Sequence, residues 1–371
     1  MQFGSPFSVR AAAARCSISC LCPLIGISVL LTVAIGVAEL RGVFSLSGLS
    51  RRFYGMRVVP VSPCQQPPKY HLAMMTIFKN MKPYLNEWID FHLMVGFDHF
   101  YLYNNNSTDS PEEELAKYIQ RGQVTMHDFP SQFRVAYDGV RENYSQKAAV
   151  LDALTRYRCQ AKWIALLDMD EFVFSPLGTQ LPQVLRRYDA YGGVSLAWLR
   201  FGTSSHMLPP EMVTIEGYTF RMRRPSNNFK NIVQPARVAG IQDIHEIIFH
   251  SGYYSVDERY RPVMRETNRN VNRSYKVLRL HHYFTRSYLD WFLRVYDRGS
   301  VSGAVHKYQL GDLRYYGRAN EMYDPSALFL AEGLKARMGF NGTLWRSHYF
   351  HYNSILHQLN AMSALEKSAG S

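Results

Sequence analysis

From His71 to Leu167 short apolar runs alternate with helix-period stretches, and this alternation limits the possible folds more than any other feature. His71–Phe78 reads as a strand. Pro83–Gly96 reads as a helix with Leu85, Trp88, Ile89, His92 and Val95 on one face, opened by a proline and closed by a glycine. Phe97–Tyr103 is a second strand, and Pro111–Gln120 a helix with Glu112, Glu113 and Glu114 in its first turn. QVTMHDF is a third strand, Ser145–Arg158 a helix, and KWIALL a fourth strand. This order predicts an α/β protein with a doubly wound, mixed but mostly parallel sheet flanked by helices. Ligands of such sheets sit beyond the carboxyl ends of the strands.

The strand exits carry the chemistry. WIALLDMDEFVFSP (Trp163–Pro176) ends an apolar run in Asp168-Met169-Asp170-Glu171. Two unit charges 4 Å apart repel by about 4 kcal/mol at an effective dielectric of 20. A bound divalent cation relieves that repulsion, and oxygen ligands suit Mg²⁺ or Mn²⁺, which then bridge to substrate phosphates. A solvated turn or helix cap is the plainer alternative. YNNNSTD (Tyr103–Asp109) offers amides and a carboxylate that read a nucleobase or ribose, or else form an Asx turn. The pair His281-His282 before Tyr283 offers imidazole to Mn²⁺, though such pairs are more often structural.

The ends of the chain are different in character. Ser17–Ala38 has 22 residues without a charge, roughly 33 Å as a helix against about 30 Å of bilayer hydrocarbon. An uncleaved signal anchor is the favoured reading; a cleaved signal peptide or an organelle transit peptide is the alternative. The division expected is a tail (1–16), a membrane span (17–38), a Pro-rich stem (39–68), a catalytic domain (69–319) and a carboxyl-terminal extension (320–371). Twenty-five tyrosines, 21 phenylalanines and five tryptophans exclude a disordered chain, and five cysteines exclude a disulfide-built scaffold. Cys64 and Cys159 are either one disulfide or two buried thiols. The net charge of +12 suits an anionic partner, but no long Lys/Arg block marks a nucleic-acid tail. Asn105, Asn106, Asn143, Asn272 and Asn341 begin glycosylation triplets, which permit a lumenal domain.

In chain order, FKNMKPYLNEWIDFHLMVGFDHFYLYNNNSTD, SQKAAVLDAL, WIALLDMDEFVFSP, WLRFGTSSHMLPP, FKNIVQP, IHEIIFHSG and HHYFTRSYLDWFLRVYDRGS resemble glycosyltransferase family 92, a GT-A-fold group related to family 2. One departure is Arg294-Val295-Tyr296-Asp297, where a lysine-bearing helix is expected. The resemblance implies inverting transfer of a hexose, galactose foremost, from a UDP-sugar to a glycan or polysaccharide hydroxyl, in a Golgi or other secretory-pathway membrane. It implies a metal set of Asp168, Asp170 and His282, with Asp168 facing the ribose or a metal-bound water. Asn80, Asn105 and Asp109 would line the uridine, with Gln146 near the donor. Glu246 is the candidate base for the acceptor hydroxyl and His245 its rival. Read from the residues alone, Trp198 and His206 either meet an acceptor sugar ring or are an ordinary core aromatic and loop histidine. A GT-A module that binds a nucleotide or glycan without catalysis is the alternative function.

Overall fold

The structure is a computed structural model that describes residues 63–131, 133–135, 141–263, 273–296 and 318–340. The chain separates into Met1–Gly55 and Met56–Ser371, and all that is described belongs to the second unit. The expected membrane span lies outside the described residues, as do the triplets at Asn272 and Asn341. Among the described residues no helix is long and apolar enough to cross a membrane.

Fifteen strands are described: β1 (Tyr70–Phe78), β2 (His99–Asn104), β3 (Val124–Asp128), β4 (Phe133–Val135), β5 (Arg141–Asn143), β6 (Ala161–Leu166), β7 (Glu171–Phe174), β8 (Gly193–Arg200), β9 (Phe220–Arg221), β10 (Phe229–Val233), β11 (Val238–Ile241), β12 (Ile247–Phe249), β13 (Ser255–Val256), β14 (Arg279–His282) and β15 (Met322–Tyr323). The described helices are α1 (Lys82–Met94), α2 (Glu112–Gln120), α3 (Ser145–Arg156), α4 (Leu181–Leu185), α5 (Thr214–Gly217), α6 (Tyr288–Tyr296) and α7 (Ala331–Met338).

One sheet runs β3-β2-β1-β6-β10-β8-β14-β7, with β13 also paired to β8. β3, β2, β1 and β6 are parallel. β10 is antiparallel to both β6 and β8, β14 is parallel to β8, and β7 is antiparallel to β14. The sheet is therefore mixed and mostly parallel, as the sequence order implies.

Both faces are buried, which is why the central strands read as continuous apolar runs. Leu72, Met74, Phe100, Leu102, Trp163 and Ala165 point to one core, where Leu85, Trp88 and Ile89 of α1 pack. Ala73, Met75, Tyr101, Tyr103, Ile164 and Leu166 point to the other, against Ala149, Val150 and Leu154 of α3. This is the period-two alternation of strands, with helices on both faces.

α1 begins with Pro83 in its first turn, and the N–H of Lys82 is accepted by Asp109 Oδ2 at 2.8 Å, from the loop after β2. It stops before Gly96, whose φ is +108°; a Cβ there would lie 2.6 Å from Pro182 Cδ, so glycine is required. Glu87 and Asp90, on the face expected to be polar, are also buried. Glu87 takes the backbone N–H and hydroxyl of Thr214, and Asp90 takes Tyr118 Oη at 2.9 Å and Arg337 Nε at 3.0 Å. Cys64 and Cys159 form a disulfide with Cα atoms 5.4 Å apart, resolving the two readings left open by the sequence.

Candidate active site

β6 ends at Leu166, and the next strand in sequence, β7, joins the far edge of the sheet. The acid loop at 168–170 bridges them. Glu171 N donates to Asp168 O at 3.1 Å and Asp168 N to Glu171 Oε2 at 2.9 Å, which folds the loop on itself. β14 then pairs with β7 so that His282 lies opposite Glu171, and Tyr283 N donates to Asp170 O at 2.9 Å. Strand register thus carries His282 to Asp170 across more than a hundred residues of chain, leaving Nε2 3.4 Å from Asp170 Oδ1.

The three acids take distinct surroundings. Asp168, about one-third exposed, accepts Gln146 Nε2 on Oδ1 at 2.9 Å and pairs with Lys230 Nζ through Oδ2 at 2.8 Å. Asp170 is only 5% exposed and pairs through Oδ2 with Arg294 Nη2 at 2.5 Å. Against its own burial, Arg294 and His282 hold the Asp170 carboxyl well below the usual carboxylate range. Glu171 is fully buried, and burial with Asp168 and Asp170 beside it pushes its carboxyl well above that range.

Three cations answer these acids, and of them the sequence marks only Arg294, as a departure from the family pattern. Lys230, 2% exposed, sits 3.5 Å from Glu171 Oε2 as well as on Asp168. Burial works to discharge it, but Asp168 and Glu171 keep its ammonium above the ordinary lysine value. Arg286 Nη2 donates to Met169 O at 3.1 Å, and its guanidinium lies 3.5 Å over the Tyr84 ring. Arg294, the departure from the expected lysine, is the third. A lysine or arginine gives no local signal of burial, because the carboxylates that permit it come from remote segments.

Trp198 joins this cluster to the candidate bases. Its ring is 4.5 Å from His282 and edge-on to His245 at 5.4 Å, with Arg200 and Lys230 near its faces. Trp198 Nε1 and His282 Nδ1 are both buried without a hydrogen-bond partner. Burial lowers the affinity of His282 and His245 for protons, so both rings are neutral near pH 7. His245 Nδ1 bonds Phe229 O at 2.7 Å, and the backbone N–H groups of His245 and Glu246 both bond Asp243 Oδ1. Glu246 is half-buried at the entry to β12.

The expected uridine residues lie at the exits of β1 and β2, but their side chains serve the backbone. Asn80 Oδ1 accepts Thr108 N at 2.7 Å. Asn105, 2% exposed, gives Nδ2 to Phe129 O at 2.8 Å and takes Ser131 Oγ on Oδ1 at 3.3 Å. Asp109 caps α1 as described. His206 Nε2 bonds Gly217 O at 2.8 Å. The structure therefore brings His282 to Asp170 and Gln146 to Asp168, reaches His245 through Trp198, and ties Asn80, Asn105 and Asp109 by hydrogen bonds to the backbone around the exits of β1 and β2.

The family resemblance implies a divalent cation, and the donors suit one. Asp170 offers an ionised carboxylate, and His282 a neutral imidazole whose Nε2 stands 3.4 Å from Asp170 Oδ1. Among the described residues no group of three or more His, Cys, Asp or Glu side chains is arranged to hold a metal ion. Two protein ligands leave further positions to phosphate oxygens and water, the usual habit of Mg²⁺-like ions.

The model of the family described as glycosyltransferase family 92 matches residues 71–300. A glycosyltransferase family 92 protein of Oryza sativa subsp. japonica is 30% identical over 170 residues, 45% of this chain and 27% of that protein. The galactan beta-1,4-galactosyltransferase GALS2 of Arabidopsis thaliana is 33% identical over 120 residues, 31% of this chain and 22% of that protein. The matches thus cover less than a third of either relative's length. Among solved structures, the mannosyltransferase PcManGT of Pyrobaculum calidifontis, in complex with GDP-Man and Mn²⁺, is 12% identical, with a TM-score of 0.28 over 91% of this chain and 92% of that one.

Proposed function

Because the chain belongs to glycosyltransferase family 92, we propose that it is a GT-A-type inverting transferase that moves a hexose, galactose first, from a UDP-sugar to a glycan hydroxyl. The observation that carries this reading is the approach of His282 to Asp170 in the loop after β6, with Lys230 and Arg294 paired to Asp168 and Asp170 there. Galactose is favoured by the relatives that are galactan beta-1,4-galactosyltransferases.

In this reading Asp170 and His282 hold a divalent cation, Mn²⁺ or Mg²⁺, which supplies Lewis-acid stabilisation to the departing diphosphate. Gln146 and Lys230 fix the Asp168 carboxylate, leaving its exposed edge toward the donor's ribose. The buried Lys230 and Arg286 preset a positive field for the negative charge that develops on UDP. His245 takes the acceptor proton. Phe229 O accepts only, so the ring proton sits on Nδ1 and Nε2 is left as the basic nitrogen. Glu246 is its rival, one residue away.

We further propose that residues 17–38 anchor the protein in a Golgi or other secretory membrane with the catalytic domain in the lumen. The Cys64–Cys159 disulfide supports an oxidising compartment.

The test is acceptor-dependent UDP release from UDP-galactose and Mn²⁺. Asp170→Asn should cut release by about 10²-fold or more, the scale of losing a leaving-group stabiliser. UDP binding without release, with any sugar donor and any glycan acceptor, would make the chain a binding module instead.

A further inference from the structure

Arg294 already neutralises the carboxylate that a cation at Asp170 would use. Its Nη2 is on Asp170 Oδ2 at 2.5 Å, while His282 stands off Oδ1 at 3.4 Å. A divalent ion ligated by Asp170 would meet the guanidinium at close range, and like charges so placed repel. The other two cations are fully enclosed. Lys230 is buried and shared by two carboxylates, and Arg286 is committed to Met169 O and the Tyr84 ring. Arg294 alone of the three keeps access to solvent, at 21%, from the last turn of α6, with its guanidinium 4.7 Å over Phe284. A buried carboxylate without a counter-ion is costly, so some cation must stand at Asp170 when no metal does.

We propose that Arg294 is an exchangeable counter-ion of Asp170. It neutralises the carboxylate in the donor-free protein, gives way when the divalent cation takes over that charge, and moves its guanidinium to the diphosphate of the incoming nucleotide sugar. This rests on the glycosyl-transfer reading for the identity of the anion. Its consequence is ordered loading: the cation alone competes with Arg294, whereas cation and diphosphate together give the guanidinium a new partner. The planar fork of arginine matches phosphate oxygens in a way that lysine does not.

The experiment titrates the full chain with Mn²⁺ alone, followed by electron paramagnetic resonance of the unbound ion, and then with UDP at saturating Mn²⁺. Wild type is compared with Arg294→Met and with Arg294→Gln, which keeps a donor to Asp170 and guards against loss of fold. Both variants should bind Mn²⁺ alone about tenfold more tightly, and UDP about tenfold more weakly, as expected for one removed charge at close range. Unchanged or weaker binding of Mn²⁺ alone in a folded variant would overturn the proposal, leaving Arg294 a fixed structural partner. Failure of wild type to bind UDP would instead strike the glycosyl-transfer reading, while the Mn²⁺-only arm still decides the role of Arg294.

Discussion

His245 shows how a residue's surroundings set its chemistry. Its ring is turned by Phe229 O, and burial, with the Lys230 ammonium nearby, lowers its proton affinity. The neutral ring is the base, so activity is full above its lowered pKa and falls as pH drops through it. The acid limb of kcat/KM should therefore lie below the ordinary imidazole value of about 6.5. His245→Gln should erase that limb and cut kcat by about 10²- to 10⁴-fold, the usual worth of a general base. If Glu246→Gln does this and His245→Gln does not, the roles are reversed. Asn105 makes a different prediction. Its amide is buried and bonded on both sides, so glycopeptide mass spectrometry should find it without sugar. A fully occupied Asn105 would mean that this loop folds otherwise. The acids and His282 were legible because they end apolar runs. The pairings of Lys230, Arg286 and Arg294 were not, since their partners are set by strand register rather than by neighbours in sequence.

Elements followed the same rule. β1, β2, β3 and β6 and helices α1 to α3 lie within a residue or two of their sequence-based bounds, because each has its own period and its own stop signal. What local pattern cannot give is the use of residues 318–340. β15 pairs with β9, and Asn320 Oδ1 accepts Ser204 N at 3.0 Å, holding the loop after β8. Asp324 bonds Arg221 Nε at 2.5 Å and Arg279 Nη1 at 2.9 Å. This joins the segment to two strands that precede it by 45 to 103 residues. All three side chains are largely buried. Asp324→Ala would leave two arginines without their shared carboxylate, and breaking a buried pair this way costs about 3–5 kcal/mol. Urea unfolding should show that loss. A change under about 1 kcal/mol would mean that the segment contributes little to the stability of the domain.

Across the whole molecule, acid should act through histidines that fold neutral. His92 Nδ1 bonds Trp88 O at 2.8 Å, and its Nε2 accepts Val173 N at 3.3 Å, an arrangement only a neutral ring satisfies. His281 is enclosed between Tyr283 Oη and Ser326 Oγ. Burial lowers both to about 3. The unfolded chain takes up these protons near pH 6.5 and the folded chain does not, so the stability they permit is full above 6.5 and is lost as pH falls toward 3. Each histidine then costs about 1.4 kcal/mol per pH unit, or roughly 4 kcal/mol for the pair at pH 5. Glu171 has the opposite sign, since its raised carboxyl gains a proton more readily in the folded state, but it is one group against several buried histidines. A domain holding about 5–15 kcal/mol should feel the difference. The urea midpoint of the full chain should fall between pH 7 and pH 5, with net proton uptake on unfolding. In His92→Gln the slope should shrink by the share of one proton, because the uptake at that ring is gone. A midpoint at pH 5 equal to that at pH 7, without proton uptake, would show that these rings already carry charge in the folded protein.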